Sequence, residues 1–587
     1  MTTTITSNYR VAPGAFLTFR NENAIEVQKW TSPAFPSLNI AGSVSLTADT
    51  AFRVIGVYFG VGALQTPPAV TTIEQGGVLS VHSTTPSGWA SGIWSPDWSP
   101  RIINNGVVDV AAKQQAMGID ISSMSNPNFE NTGTIRVVAG DQAIGVSIAN
   151  GSPVFNSGVI EATSGGFRGP VGISVGSFAD DFVFVNTGTI RAQSTQTGVD
   201  SIGVAYGGTG TFTNSGTIQG DYALRIYTLN QSSDRDYLFL NSGTMTGSVD
   251  LGLYSDRGGR EIFRNSGRVV GAVDFGPRND TYDGTGGTVT GAVHGRLGDD
   301  LLTGGAAGET LFGDEGDDTL DGGGGADQLD GGAGSDLLSF LSSPSALNFD
   351  FTLSNPYSNP HAQNFERLLG SRNADTLMGG SFGDHISGSD GADHIGGRTG
   401  ADTLDGGAGD NYLRGDEGAD SLAGGRDFDD LNGNMGNDTV HGNEGDDWVV
   451  GGRDDDMLYG DAGGDIVYGN LGDDTQFGGD GFDWVRGGQG NDSLDAGAGD
   501  DWIWGDRGDD TVAGGAGADV FHIFTGGGLD RVTDFSYAQG DRVVVDYGAY
   551  SVSQVGADTV VDLGSGDRMV LVGVTASSLP AGWISAL

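Results

Sequence analysis

From Gly370 to His522 an aliphatic residue returns at every ninth position among glycines and polar residues. The run holds 153 residues, or 17 nonapeptides without an insertion, and Gly295 to Ser339 adds five more. The block reads G-G-x-G-x-D-x-U-x, with U aliphatic, as in GGQGNDSLD from Gly487 and GDRGDDTVA from Gly505. U is Leu, Ile, Val or Phe in all 17 later blocks except at Gln476. Alternation over x-U-x predicts a short strand with U facing inward and its neighbours outward. The glycines predict tight turns with positive φ. One inward aliphatic side chain per nine residues makes a thin core.

A second pattern precedes the first. The unit apolar-x-Asn-[Ser/Thr/Asn]-Gly-x-[Ile/Val] occurs at Asn104, Asn131, Asn156, Asn186, Asn214, Asn241 and Asn265, with spacings of 27, 25, 30, 28, 27 and 24. Each spacing suits one coil of a β-solenoid. A second strand follows in several rungs: AIGVSI from Ala143, VGISVG from Val171 and SIGVAY from Ser201. Asn and Gly at a fixed corner fit a turn of positive φ, and stacked Asn side chains fit a ladder. Weaker rungs are expected near Gly42 and Gly77. In residues 1–100, Trp89, Trp94 and Trp98 lie among Pro and Gly. They read as a cap packed over the first coil in preference to a glycan-stacking platform.

Composition narrows the chemistry. Of 587 residues 105 are Gly, none is Cys, and the net charge is −48. Glycine at this density disfavours a mainly helical protein. Only 16 Pro and no G-X-Y register exclude collagen. The absence of Cys excludes disulfides and thiolate metal sites. No apolar run spans a membrane, and a nucleic-acid binder should be basic, whereas the only lysines are Lys29 and Lys113. Residues 295–522 hold 47 acidic and 9 basic side chains, a net of −38. The acidity therefore belongs to the nine-residue unit.

Asp fills the sixth position in 16 of the 17 later blocks, Asn411 being the exception. A carboxylate beside turn carbonyls offers hard oxygen ligands suited to Ca²⁺ at ~2.3–2.6 Å. These blocks resemble the repeats-in-toxin (RTX) repeats of bacterial secreted proteins. The resemblance implies a parallel β-roll with turns on alternate edges and calcium between the turns of repeats i and i+2. That gives at most about 15 ions in the long run and about 3 in the short one. The implied metal ligands are Asp300, Asp318, Asp327, Asp336, Asp375, Asp384, Asp393, Asp402, Asp420, Asp429, Asp438, Asp447, Asp456, Asp465, Asp474, Asp483, Asp492, Asp501, Asp510 and Asp519. Glu309, Asn411, Ala307, Phe382, Asp427 and Asp454 depart from the motif, which weakens their sites. Stacked carboxylates over a thin core predict a segment largely disordered without Ca²⁺ and ordered at roughly millimolar Ca²⁺.

The N-terminal MTTTITSNYR lacks the basic and apolar regions of a Sec signal peptide. The C-terminal stretch resembles the terminal domain of type I secreted RTX proteins. The matching pieces are Gly528-Leu529-Asp530, Asp534-Phe535, Asp558-Thr559-Val560 and Leu571-Val572-Gly573-Val574. The resemblance implies an uncleaved signal read by an ABC exporter; a β cap on the roll is the structural alternative. Between the arrays, Leu347, Phe349 and Phe351 alternate and predict extra strands.

Catalytic signals are weak. GISVG at Gly172–Gly176 matches G-x-S-x-G, but it aligns with neighbouring rungs, which makes Ser174 a solenoid residue. There is no HExxH. His385 and His394 fall in adjacent blocks and hence in opposite sheets. The polar loops Asp234-Arg235-Asp236 and Asp256…Arg260-Glu261 read as solvated, and no catalytic residue is assigned. An outward stripe is expected on one sheet, built from Trp448, Val450, Ile466, Tyr468, Trp484, Trp502 and Trp504. Exposed apolar patches mark interfaces, so Trp448, Tyr468, Trp484, Trp502 and Trp504 are the interface candidates, docking the C-terminal domain or a second chain.

The expected fold is all-β: a parallel β-helix or solenoid, then calcium-binding parallel β-rolls, then a C-terminal β cap or secretion domain. The expected segments are 1–100 (cap), 101–294 (solenoid), 295–339 (short roll), 340–369 (insert), 370–522 (long roll) and 523–587 (secretion domain). The expected function is a secreted, calcium-binding structural or adhesive protein at the cell surface or matrix. Its expected partners are a type I exporter and a surface glycan or copies of itself. A polysaccharide lyase or epimerase built on the solenoid is the alternative. A pore-forming toxin is disfavoured, because no long apolar helical segment precedes the array.

Overall fold

The computed structural model describes residues 70–586 apart from 96–100, 123–127, 150–152, 177–181, 208–209, 228–235, 253–258 and 352–360. Before residue 70 it describes seven strands between Thr4 and Phe59. The described residues are all-β, with one 3₁₀ turn at Ala576–Ser578 and no α-helix. The chain divides into two compact units, Met1–Asp336 with Ala362–Asn364, and Leu337–His361 with Phe365–Leu587.

The first unit is a parallel solenoid. One coil comprises the strands Asn128–Asn131, Thr134–Ala139 and Gln142–Ile148, and each pairs in parallel with its counterparts in neighbouring coils. Register stacks Ile102, Phe129, Val154, Phe184, Phe212, Phe239 and Phe263 in one fully buried inward column. Phe184 and Phe212 lie face to face, with centroids 4.5 Å apart.

The corner asparagines form the expected ladder. Asn104 Nδ2 donates to Asn131 Oδ1 at 2.7 Å, and the same bond repeats through Asn156, Asn186, Asn214 and Asn241 to Asn265. Every one of these side chains is buried, so the ladder satisfies amides that would otherwise be costly to bury.

The corner glycines play a different part from the one expected. None of Gly106, Gly133, Gly158, Gly188, Gly216, Gly243 and Gly267 has positive φ. Instead, a Cβ at Gly158 would collide with the carbonyl of Gly133 one coil before. Glycine is needed there for close stacking of coils, not for a left-handed turn.

Parallel coils also continue before Arg101. Val70–Ile73 pairs with Arg101–Asn104, Val78–Ser83 with Val107–Ala112, and Trp89–Ser95 with Gln115–Ile121. Trp89 and Trp94 thus lie on a coil strand; Trp98 and Gly42 fall outside the described residues. Ser174 sits in the strand Val171–Val175 between Ser147 and Ala205 of the adjacent coils, with no strand-to-helix elbow. Toward the repeats the inward column continues from Phe263 through Tyr282 to Leu302 and Leu320.

In the second unit, consecutive nonapeptides alternate between two parallel sheets. Trp448–Arg453, Ile466–Leu471, Trp484–Gln489 and Trp502–Arg507 are neighbours in one sheet; Met457–Ala462, Thr475–Asp480 and Ser493–Ala498 are neighbours in the other. The inward residue of every block is buried, including Gln476.

The insert begins one sheet and adds a strand to the other. Asn348–Asp350 pairs with Thr376–Met378, and Leu337–Ser339 with Arg367–Leu369. A two-pronged contact from Arg398 to Asp350, at 2.8 and 2.6 Å, holds the first of these strands. At the other end Leu529–Val532 and Arg542–Val545 prolong the sheets. Asp567–Leu571 and Ile584–Ala586 add to those two strands in parallel, while Ser551–Val555 and Asp558–Gly564 pair antiparallel, the latter also with Asp567–Leu571.

Candidate metal centres

Each nonapeptide places its sixth residue immediately before the x-U-x strand, at the roll edge. There the carboxylates form columns with an 18-residue period. The backbone amide of Asp402 donates to Asp420 Oδ1 at 2.8 Å, Asp420 donates to Asp438, and the series runs on to Asp510. On the opposite edge it runs from Asp375 through Asp393, Asn411, Asp429, Asp447, Asp465, Asp483 and Asp501 to Asp519. In the first unit Asp300, Asp318 and Asp336 are linked in the same way, as are Glu309 and Asp327.

Oδ1 is therefore satisfied and Oδ2 is not. For Asp300, Asp318, Asp393 and every sixth-position aspartate from Asp402 through Asp519, Oδ2 is buried without a hydrogen-bond partner. Its surroundings are acceptors. A Cβ built on Gly442 would lie 2.5 Å from Asp447 Oδ2 and 2.6 Å from the carbonyl oxygen of Gly460, two blocks on. Glycine thus leaves open a small cradle between a carboxylate oxygen and a carbonyl oxygen.

Asn411 shows what an uncharged solution looks like. Its Nδ2 donates to the carbonyl of Gly424, the equivalent partner two blocks on, at 3.4 Å. An ionised Asp offers no such proton, and its carboxylate and the turn carbonyl are then two acceptors facing each other. A hard cation with flexible oxygen coordination fits that gap.

Burial makes the bare columns unfavourable. It pushes Asp456 and Asp492 up to about 8, with the charges of their column neighbours adding to the effect. Asp300 rises to about 9 and Asp465 to about 7 for the same reasons. Desolvation of each carboxylate is the larger cause and mutual repulsion the smaller.

The turn conformation separates two classes of block. Wherever Oδ2 lacks a partner, the second residue of the block is left-handed: Arg398 at φ 77°, Asp416 at 73°, Asn434 at 77° and Gly452 at 126° are examples. Asp and Asn tolerate that conformation better than other non-glycine residues. In three blocks it is absent and the amide of the second residue turns onto the carboxylate. Gly305 donates to Glu309 at 3.3 Å, Ser371 to Asp375 at 2.6 Å and Gly380 to Asp384 at 2.6 Å.

These three blocks share a fourth residue without positive φ, namely Ala307, Asn373 and Phe382. Asp427 and Asp454, although departures from the motif, occupy fourth positions at φ 69° and 73°. Asp429 and Asp456 in their blocks retain the unpartnered Oδ2.

A family model described as RTX calcium-binding nonapeptide repeat (4 copies) matches ten segments, one at residues 303–338 and nine overlapping ones within 369–532. The nonapeptide arrays are RTX calcium-binding repeats. No curated protein matches the chain. Among solved structures it is similar to the extracellular lipase LipA from Serratia marcescens, at 15% identity and a TM-score of 0.16; the match covers 42% of this chain and 42% of the lipase. These RTX repeats bind several calcium ions.

The remaining sequence candidates fall as follows. His385 and His394 lie in opposite sheets. The loop residues Asp234, Arg235 and Asp256 lie outside the described residues, while Asp236 pairs with Arg260 at 2.8 Å. Glu261 is not solvated as expected: its Oε2 is buried beside Asp280.

The aromatic residues form one outward file with Trp448, Ile466, Trp484 and Trp502 in register. Trp484 and Trp502 stack at 5.3 Å. Tyr468 and Trp504 lie in the adjacent file, flanking Arg486. Trp448, Trp484 and Trp502 remain 46%, 40% and 37% exposed, so the C-terminal strands extend the edge of this sheet and leave its face uncovered.

Sequence reasoning missed Asp280, which continues the first column one coil before Gly295. It sits in Arg278-Asn279-Asp280-Thr281-Tyr282-Asp283, which carries the D-x-U-x half of the block without its glycine turn.

Proposed function

We propose that the chain is a secreted structural or adhesive protein whose RTX region folds on meeting extracellular calcium. The aspartates with an unpartnered Oδ2 are its ligands, each acting with the carbonyl of the turn two blocks on. The observation that carries the reading is the contrast between Asn411, whose amide bridges to the Gly424 carbonyl, and its aspartate counterparts, whose Oδ2 is buried without a partner.

Low calcium inside the cell keeps the repeat region unfolded, in a form that a type I exporter can thread. High calcium outside turns repulsion between carboxylates into coordination. The C-terminal strands serve as cap and export signal together. The uncovered tryptophan file then offers a face for a surface glycan or a second copy.

Fractionation of the producing cell with and without chelator tests this reading. The protein is expected outside the cell, held at the surface or matrix with calcium and released by chelator. Retention in the cytoplasm under both conditions would overturn it.

A further inference from the structure

Glu261 and Asp280 lie upstream of the first nonapeptide block, in the last coils of the solenoid. Asp280 is 1% exposed. Its Oδ1 accepts the Glu261 amide at 2.7 Å, and its own amide donates to Asp300 Oδ1 at 2.6 Å. It is thus a rung of the same column as Asp300 and Asp318, built by a sequence without the repeat turn. Asp280 Oδ2 has no hydrogen-bond partner, and neither has Glu261 Oε2; both atoms are buried.

The two carboxyl groups face each other and the Gly276 amide, close enough for them to share a proton in the metal-free protein. A Cβ at Gly276 would stand 2.9 Å from Glu261 Oε2, so glycine makes room for that side chain. One coil earlier, a Cβ at Gly252 would collide with the carbonyl oxygen of Phe275. Arg260, the neighbouring cation, is turned outward onto Asp236. Burial raises both carboxyls above the usual range, and the Asp280 charge raises Glu261 further.

We propose that Glu261 and Asp280 hold one further hard divalent cation of the calcium class, in the solenoid and ahead of the repeat motif. The proposal rests on the calcium reading of the repeats. Asp280 and Asp300 are adjacent rungs joined by a hydrogen bond, so occupancy here is coupled to the first repeat site and sets where the ordered roll begins.

The test is the full chain crystallised with Tb³⁺ replacing Ca²⁺, with anomalous difference maps. A peak between Glu261 and Asp280, besides peaks along the repeats, supports the site. Peaks along the repeats alone overturn it and leave the calcium reading standing; a map without peaks overturns both.

A Glu261→Gln variant separates a cation from a shared proton. With a cation, the calcium-induced rise in melting temperature shrinks by roughly 2–4 °C, while melting in chelator is unchanged or higher. Equal melting shifts in calcium and in chelator overturn the site, because glutamine can replace a shared proton but not a charge.

Discussion

The backbone amide of Asp438 donates to Asp456 Oδ1 at 2.9 Å and leaves Asp456 Oδ2 buried without a partner. The bond fixes the carboxylate in one rotation, so the unpartnered oxygen is held at the turn and cannot swing to solvent. Repetition of this relation along both edges ties the stability of the roll to cations.

Asp456→Asn keeps an oxygen for the Asp438 amide and puts an N–H where Oδ2 stood, as at Asn411. The variant is expected to lose about 1–3 kcal/mol of stability relative to wild type in calcium, and in chelator to be at least as ordered as wild type. Thermal unfolding under both conditions checks it; a uniform loss in both would contradict it.

The pH dependence of the metal-free protein has a definite sign. Asp456 and Asp492 sit near 8 in the fold, above the ordinary carboxylate value of an unfolded chain. Between about pH 4 and 8 the folded form therefore binds more protons, and stability falls as pH rises. Chelated protein is expected to be more ordered at pH 5 than at pH 8. Calcium competes with those protons, so its apparent affinity rises over the same window. Melting curves and calcium titrations at the two pH values measure both slopes.

Gly442→Ala places a methyl in the cradle between Asp447 Oδ2 and the Gly460 carbonyl. Gly442 does not have positive φ, so backbone strain is not the cause of any loss. The substitution is expected to cost about 1–3 kcal/mol in calcium through crowding and to lower the number of bound ions. Equilibrium dialysis with a calcium tracer reads the ion count directly.

Gln476 is the one polar residue in an inward repeat position. It is fully buried, its Oε1 has no partner, and its Nε2 reaches the Gly487 carbonyl at 3.4 Å. Gln476→Leu restores the aliphatic column and removes an unsatisfied acceptor. It is expected to stabilise the roll by about 1–2 kcal/mol and, by freeing the Gly487 carbonyl beside Asp474, to strengthen calcium binding at that turn.

Much of this architecture is legible in the sequence because each repeat has its own chemical reason. The ninth-residue aliphatic period announces alternating strands, and Asn at a recurring corner announces the ladder. Less legible is anything decided by backbone conformation. Asp375 and Asp384 carry the motif carboxylate, yet their turns bring an amide onto it, because Ser371 and Gly380 at the second position do not take up the left-handed conformation. Asp427 and Asp454 look like defects and behave as glycine substitutes. Gly158 was expected for φ and is required for coil spacing. Asp280 was hidden because a column needs only the carboxylate and its following strand, while the motif is recognised by its glycines.

Calcium titration into chelated full-length protein, followed by far-UV circular dichroism, tests the central claim most directly. The account predicts a partial β spectrum in chelator, from the solenoid with its asparagine ladder, and a large gain of β signal as calcium rises to roughly millimolar levels. A spectrum of full β content, identical with and without chelator, would contradict it.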